Sequence, residues 1–188
     1  MKTNLLLKEF IKDKKVGAVV QTTSYMTRKL IEKINFQQAK VIVEYGSGKG
    51  AITKMLLDNM EQNAILFAFE INKNFIKKLT EIQDSRLIVV NNDAAATKTI
   101  LKNKYQIEVV DYIISTIPFS LIEKHTKNRI INNSFKLLKE NGHFITYQYS
   151  WHILNLMKRN YNYVNWKLIL LNFPPAVIIE GIKNHHNN

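Results

Sequence analysis

The chain contains no cysteine among its 188 residues. This absence excludes a disulfide framework and any metal site built on cysteine thiolates. The five histidines do not replace those ligands, because only His185 and His186 lie close together, in a polar tail at 184–188 that we expect to be frayed. We therefore expect no metal in this protein.

Long apolar stretches are also missing. Nowhere do about 18 apolar residues follow one another, so the sequence contains no candidate membrane-spanning helix. Near the N-terminus, Lys8, Lys12, Lys14 and Lys15 interrupt any apolar region of a signal peptide. We expect a cytoplasmic protein that is free or peripheral on the inner face of the cell membrane.

Acidic residues are scarce relative to basic ones, and the net charge is +12. Residues 1–40 contain nine basic and three acidic residues, so about half of the excess lies there. On a helical wheel of this segment, three apolar side chains share one face and Lys8, Lys12 and Lys15 lie opposite. The pattern favours an anionic membrane surface as the partner. Nucleic acid is an alternative partner, because it would attract the same positive charge. The other alternative is that the segment is a helix that packs its apolar face on the domain.

The segment VIVEYGSGKG, residues 41–50, has three glycines at alternate positions after an apolar run. The run reads as a strand buried on both faces, and apolar residues then recur at helical spacing from Ile52 to Met60. A strand, a glycine-rich turn and a helix in this order bring backbone N–H groups to a ligand at the carboxyl edge of a parallel sheet.

The spacing around these glycines separates three classes of cofactor. The sequence does not match a phosphate-binding P-loop, because Gly50 follows Lys49 where Ser or Thr is needed. A dinucleotide fingerprint fits poorly, because the glycines are evenly spaced and Glu44 would face a pyrophosphate. S-adenosylmethionine carries an ammonium and a sulfonium and no phosphate, so an acidic turn suits it. A tight turn without a ligand stays an alternative for this motif alone.

Three further apolar runs follow, and polar residues stand at their carboxyl ends. AILFAFE ends in Glu70, about twenty residues after the glycines, where a carboxylate can accept both hydroxyls of a ribose. LIVVNND ends at Asp93, and VVDYIIS (109–115) leads into TIPF. Because each run precedes a helix-length amphipathic segment, the sequence predicts a doubly wound α/β sheet with one ligand crevice.

Together, VEYGSGKG, FEIN, NNDA and ISTIPF resemble the ordered motifs of class I S-adenosylmethionine-dependent methyltransferases. The resemblance implies a seven-stranded, mainly parallel, Rossmann-like sheet in a single domain over residues 1–188, with basic N-terminal helices in 1–35. The segments 142–150 and 163–182 then hold the last three strands. The product would be S-adenosylhomocysteine. The cofactor site implied by the resemblance consists of Glu44, Gly46, Ser47, Gly48, Glu70, Ile71, Asp93, Ala94 and Ser115.

The fourth motif separates two methyltransferase families. Ribosomal RNA adenine dimethylases read an adenine amino group with Asn-(Ile/Leu)-Pro-(Tyr/Phe), whereas this chain has Thr116 at the Asn position of TIPF. Threonine offers a hydroxyl where an amide oxygen is needed, which weakens adenine recognition. Gln21, in VVQTTSYM, does resemble the N-terminal motif of those enzymes.

Bacterial phospholipid N-methyltransferases are the closer resemblance. KKVGAVVQTTSYMTRKL, ISTIPFSLI, YQYS and LNFPPAVIIE are similar to segments of these enzymes, above all Asn-x-Pro-Pro-Ala at 172–176. Gln21 departs from the proline often found at its place. The resemblance implies methylation of the phosphatidylethanolamine head group at a membrane surface. Methylation of an RNA adenine or of a small molecule stays as the alternative.

For that reaction, the candidate catalytic residues are those able to hold an amine in line with a sulfonium. Backbone carbonyls from Ser115 through Thr116 to Ile117 could accept the amine hydrogens. Arg28 and Lys29 could meet a lipid phosphate, or be solvated. Aromatic faces could stabilise the positive charge that successive methylation fixes on the amine nitrogen. The aromatic candidates are Tyr25, Phe119, Tyr147 and Tyr149. For Phe119, Tyr147 and Tyr149, a packing role is the alternative.

The N-terminal wheel yields a test of the membrane partner. Changing Lys8, Lys12 and Lys15 to Glu should abolish sedimentation with anionic phosphatidylethanolamine vesicles, because each lysine near the surface contributes about 1 kcal/mol. Affinity for S-adenosylmethionine in solution should stay nearly intact. Loss of both vesicle sedimentation and S-adenosylmethionine affinity would mean that the segment is part of the fold. Loss of ribosomal RNA binding with unchanged vesicle binding would mean that the partner is RNA and not a membrane.

Overall fold

The computed structural model describes residues 24–170 and 175–184. Its strands are β1 (Val41–Tyr45), β2 (Ile65–Glu70), β3 (Leu87–Asn91), β4 (Val110–Ser115), β5 (Leu138–Gln148), β6 (Tyr163–Ile169) and β7 (Ala176–Ile182). They form one sheet in the order β3-β2-β1-β4-β5-β7-β6. The strands from β1 to β5 pair in parallel, and β7 runs antiparallel between β5 and β6. The predicted seven-stranded, mainly parallel sheet is confirmed.

Helices alternate with the strands, as a doubly wound sheet requires. They are α1 (Ser24–Ile31), α2 (Ala51–Asn59), α3 (Lys73–Leu79), α4 (Thr97–Tyr105), α5 (Lys124–Leu137) and α6 (Leu154–Asn160). No helix in the described ranges is long and apolar enough to cross a membrane.

The sheet separates two hydrophobic cores. Val43 and Tyr45 of β1 belong to the core that α4, α5 and α6 cover, and Ile42 belongs to the core under α1 and α2. The central strands are therefore buried on both faces, which explains why the sequence shows continuous apolar runs instead of alternation. The antiparallel edge strand β6 differs, because most of its side chains are exposed.

The strand order reverses between β1 and β4. The chain passes from β1 through β2 to β3 on one side, and then returns to β4 beside β1 and continues to β5. At such a switch point the loops after the two central strands diverge and leave a crevice at the carboxyl ends. The glycine loop and TIPF are the two loops that flank this crevice.

Several sequence predictions concern residues outside the described ranges. The basic amphipathic segment within 1–23, Gln21, the hairpin residues 171–174 and the tail 185–188 are among them. These predictions stay predictions. Of the expected N-terminal helices, α1 is described.

Candidate functional site

Hydrogen bonds from both neighbouring strands hold the glycine loop after β1. On the β2 side, Gly46 N donates to Phe69 O at 2.8 Å. On the β4 side, Thr116 Oγ1 donates to Gly46 O, also at 2.8 Å. Gly46, Gly48 and Gly50 have φ of +74°, +55° and +86°, in the left-handed region that favours glycine. A Cβ on Gly48 would meet only Gly46 O, 4.0 Å away, so the space in front of this residue is open.

Glu70 ends β2 and joins the glycine loop to the next turn. Its Oε2 accepts a hydrogen bond from Gly48 N at 2.8 Å. Its Oε1 accepts from Ile71 N and Asn72 N, each at 2.8 Å. The side chain is nearly buried. Since Oε2 has room for a second donor, Glu70 could hold the loop and still meet a ribose hydroxyl.

Glu44 lies fully buried beneath the loop. Thr53 Oγ1, on α2, donates to its Oε2 at 2.6 Å, and its Oε1 has no hydrogen-bond partner in the described structure. Burial raises the pKa of the Glu44 carboxyl to about 7, although the hydroxyls of Thr53 and Ser47 lower it, and the charge of Glu70 adds to the rise. Ser47 Oγ, also buried, falls short of hydrogen-bond geometry. Glu44 Oε1 could therefore accept a hydrogen bond from a ligand that supplies donors.

Three residues of the predicted cofactor site, Ile71, Asp93 and Ala94, follow β2 and β3, which are hydrogen-bonded neighbours; the resemblance places the adenine near them. Asp93 accepts from Ala95 N at 2.7 Å and caps the short 3₁₀ helix Ala94–Ala96. Ile71 is half-buried directly after β2, and Ala94 is buried after β3. The structure thus brings these residues to the same edge of the sheet as Glu70.

Two side chains of β5 hold the loop after β4. Thr146 Oγ1 donates to Ser115 O at 2.8 Å, and Gln148 Nε2 donates to Ile117 O at 2.9 Å. Of the three carbonyls proposed to accept amine hydrogens, these two are therefore already bonded. The third, Thr116 O, finds no donor among the described residues. It is the best placed of the three for a substrate amine.

Gln148 was missed by the sequence analysis. Its Oε1 also accepts from Phe119 N at 3.1 Å, so one amide bridges two points of the TIPF turn. Gln148 and Thr146 are both buried. The available signal was their spacing, because polar side chains two residues apart near the end of an apolar strand share one face of the sheet.

The aromatic candidates differ in exposure. Phe119 is fully buried in the core, and its ring centre lies 6.4 Å from that of Phe144, so it could meet an amine only if the loop opened. Tyr147 is also buried, and Tyr149 packs edge-on against it at 5.9 Å between ring centres. Tyr149 is 39% exposed, the most accessible of these three rings.

The α1 candidates already have partners within the chain. Lys29 Nζ lies 2.8 Å from a carboxylate oxygen of Glu32 and 5.8 Å from the ring centre of Tyr25. A lipid phosphate would compete with that ion pair for Lys29. Tyr25 packs against the core that contains Tyr147. Arg28, the other predicted phosphate contact, is exposed.

These residues fit S-adenosylmethionine, which supplies a methyl group on a sulfonium when bound. The open space at Gly48 admits a ligand close to the backbone, and the unpaired oxygens of Glu44 and Ser47 can accept from an ammonium. Glu70 stands where a ribose is expected. Within residues 24–170 and 175–184, no group of His, Asp and Glu is arranged to hold a metal ion.

Substitution of Glu70 tests the cofactor site. Glu70→Ala should weaken binding of S-adenosylhomocysteine about 10- to 100-fold, because it removes hydrogen bonds to a charged group and frees the Gly48 N–H. Glu70→Gln, which keeps one acceptor oxygen, should lose less. Titration calorimetry measures both affinities, and thermal unfolding reports any loss of structure. Wild-type affinity in Glu70→Ala would remove Glu70 from the site.

The raised pKa of Glu44 predicts pH-dependent cofactor binding. Below pH 7 the carboxyl is mostly protonated, and a bound ammonium would favour the ionised form. Affinity for S-adenosylmethionine should therefore rise between pH 6 and pH 8, about the pKa that burial produces, with release of a proton. Calorimetry in two buffers of different ionisation enthalpy measures that proton.

The matched control is Glu44→Gln. It keeps the shape and the Thr53 contact but cannot titrate, so the proton release due to Glu44 should vanish. Titration of the ligand's own amine persists in both proteins and cancels in the comparison. Equal proton release by the two proteins would contradict the role of Glu44.

Known proteins resemble this chain in sequence and in fold. It is 25% identical over 174 residues to an ornithine lipid N-methyltransferase of Singulisphaera acidiphila, covering 89% of this chain and 90% of that protein. It is 25% identical over 150 residues to ribosomal RNA small subunit methyltransferase A of Ureaplasma parvum, covering 74% of this chain and 53% of that protein. The chain thus spans about half the length of the ribosomal RNA enzyme and most of the lipid enzyme.

Solved structures show the same fold. A Burkholderia thailandensis 1,6-didemethyltoxoflavin N1-methyltransferase with bound S-adenosylhomocysteine superposes with a TM-score of 0.73 at 11% identity, over 98% of this chain and 90% of that one. The N-methyltransferase NodS of Bradyrhizobium japonicum gives 0.68 at 12% identity, over 86% and 96%.

The profile of the ribosomal RNA adenine dimethylase family matches residues 10–149. This match covers most of the strands of the sheet and both loops at the switch point. The predicted class I methyltransferase fold and the S-adenosylmethionine cofactor are confirmed. The chain belongs to the ribosomal RNA adenine dimethylase family and is an S-adenosylmethionine-dependent methyltransferase.

Proposed function

We propose that the protein methylates the primary amine of an aminolipid head group, with phosphatidylethanolamine as the substrate, on the inner face of the cell membrane. The observation that carries this proposal is the environment of Thr116. Its hydroxyl donates to Gly46 O, so the side chain is directed at the glycine loop. A Cβ on Gly46 would come within 3.5 Å of Thr116 Oγ1, which means that the two loops are packed together here.

This arrangement disfavours adenine as the acceptor. An adenine amino group needs an acceptor that reaches into the crevice, and a threonine hydroxyl is one atom shorter than an asparagine amide. The neighbouring amide, Gln148, has its oxygen on Phe119 N and its nitrogen on Ile117 O. Phe119, the ring that would stack on a base, is buried. A lipid amine requires fewer contacts than an adenine, because it needs an acceptor for its hydrogens and no planar slot for a base.

The chain's groups could hold and position such an amine. Thr116 O would accept a hydrogen of the neutral amine and orient its lone pair toward the methyl carbon. A carbon–nitrogen bond then forms as the carbon–sulfur bond breaks, the electron pair stays on sulfur, and the surplus proton on nitrogen leaves to water. Tyr149 would face the cation that accumulates over successive transfers.

The relatives also support a lipid substrate. The ornithine lipid N-methyltransferase matches nearly end to end, and its name describes methylation of a lipid. The ribosomal RNA enzyme is about twice the length of the matched segment. The basic amphipathic segment predicted from the N-terminal sequence would add a contact suited to anionic lipid.

Methylation of an RNA adenine is the second candidate. The family match and the net charge of +12 favour it. A phosphate-rich polymer would be attracted to the same lysines, so charge alone does not choose between the two substrates.

Labelled S-adenosylmethionine distinguishes them. The full chain should transfer label to anionic vesicles that contain phosphatidylethanolamine and not to ribosomal RNA. A parallel arm with ornithine lipid tests whether a phosphate in the head group matters. Label in RNA alone would contradict the lipid proposal and support methylation of an RNA adenine. Label in ornithine lipid alone would support a lipid amine as the acceptor but contradict phosphatidylethanolamine as the substrate.

Substitutions of Thr116 sharpen the test. Thr116→Val should lower kcat/KM for the lipid about 2- to 10-fold, because it removes one hydrogen bond to the glycine loop. Thr116→Ser keeps the hydroxyl and should retain activity. Thr116→Asn should not improve transfer to lipid, and a gain of RNA methylation in that variant would support the adenine reading.

A further inference from the structure

Exposed apolar side chains are concentrated at one edge of the sheet. Among the described residues, eight large apolar side chains are exposed, and six of them lie between residues 149 and 170. All six come from β6, from the residue after it and from the loop that follows β5. We call four of them the aromatic edge: they are Trp151, Trp166, Leu168 and Leu170.

The aromatic edge is ordered although it faces solvent. The rings of Trp151 and Trp166 meet edge-to-face, with 4.9 Å between centres and 89° between planes. They are still 45% and 52% exposed, and Leu170 is 71% exposed. Trp166 and Leu168 alternate along β6 and so project to the same side of the sheet, and Leu170 follows the strand in a turn. A contiguous apolar patch of this kind marks an interaction surface.

This surface adjoins the candidate site. Both β5 and β6 run antiparallel to β7, so β6 is parallel to β5. The carboxyl end of β6, at Ile169, therefore lies at the same end of the sheet as Gln148, whose amide holds the TIPF turn. A partner docked on the aromatic edge would stand beside the crevice and not behind it.

The charge around the aromatic edge suits an anionic partner. From residue 141 to residue 179 the sequence contains no Asp or Glu. Lys158, Arg159 and Lys167 fall in this stretch and are exposed. The next acid, Glu180, is buried and paired with a lysine and a histidine. Half-exposed tryptophans, leucines and lysines without acids are typical of surfaces that enter the head-group region of a bilayer.

We propose that the aromatic edge docks on an anionic phospholipid bilayer, with the two tryptophans among the head groups and Leu168 and Leu170 reaching toward the acyl chains. The inference rests on the proposed function, since it supplies the contact that brings a lipid amine to the crevice. Its residues are distinct from those of the predicted basic N-terminal segment. Stable anchoring commonly takes two signals, and an apolar contact through the aromatic edge would add to the predicted polybasic one.

The two tryptophans are the only ones in the chain, so selectively excited tryptophan fluorescence reports on this surface alone. When the full chain is mixed with vesicles of phosphatidylglycerol and phosphatidylethanolamine, the emission should shift to shorter wavelength, and brominated acyl chains should quench it. A protein that sediments with vesicles without either change would overturn the proposal. The same shift caused by ribosomal RNA, or by protein concentration alone, would assign the surface to RNA or to a second copy.

Substitution gives an independent readout. Leu168→Glu with Leu170→Glu should weaken vesicle binding about tenfold or more, because two apolar contacts are replaced by charges that the anionic surface repels. Val109→Glu is the matched control, since Val109 is an exposed apolar residue at the opposite end of the sheet. Affinity for S-adenosylhomocysteine in solution should be unchanged in both variants. Vesicle binding of the double variant equal to that of the control would overturn the proposal.

Failure of this inference and failure of the proposed function give different results. Methylation of a short-chain, monomeric phosphatidylethanolamine does not need docking. If the double variant methylates it normally but also binds vesicles normally, the docking surface is wrong and the lipid function stands. If the wild type docks through the tryptophans but labels no lipid, the docking surface stands and the proposed substrate is wrong.

Discussion

Hydrogen bonds from both sides of β1 hold the glycine loop, and the whole carboxyl edge of the sheet depends on them. Glu70 reaches the loop from β2, and Thr116 reaches it from β4. A segment with three glycines loses much backbone freedom on folding, so its order has to come from such neighbours. Because the anchoring groups lie at the two strand ends beside the switch point, the same bonds that order the loop also define the crevice.

The carboxyl group of Glu44 is buried beneath the same glycine loop. A carboxyl group without full hydrogen bonding is costly inside a protein, and here one oxygen lacks a partner. That cost is acceptable in a protein whose cofactor brings positive charge. Burial raises the pKa of the Glu44 carboxyl, because the neutral form needs less solvation than the ionised form.

The substrate side is organised by β5 and by the edge beyond it. Gln148 shapes the TIPF turn, and its strand leads directly to Tyr149 and Trp151. The reaction loop and the proposed docking surface are thus a few residues apart along the chain. In a family whose profile is that of RNA enzymes, a threonine at position 116 and an apolar edge would together redirect the same cofactor chemistry toward a lipid amine.

The sequence by itself determined the strands, their order of appearance and the residues at their ends. Continuous apolar runs indicated strands buried on both faces, and Glu44, Glu70 and Asp93 were predicted as site residues because strand ends meet at one edge. Only the tertiary structure decided which groups contact each other. Glu70 bonds to a residue 22 positions away, and Gln148 bonds to one 31 positions away. It also buried Phe119 and exposed the two tryptophans. Periodicity reports which way a side chain faces within its own strand, whereas these contacts depend on strand order and on which strand forms the edge.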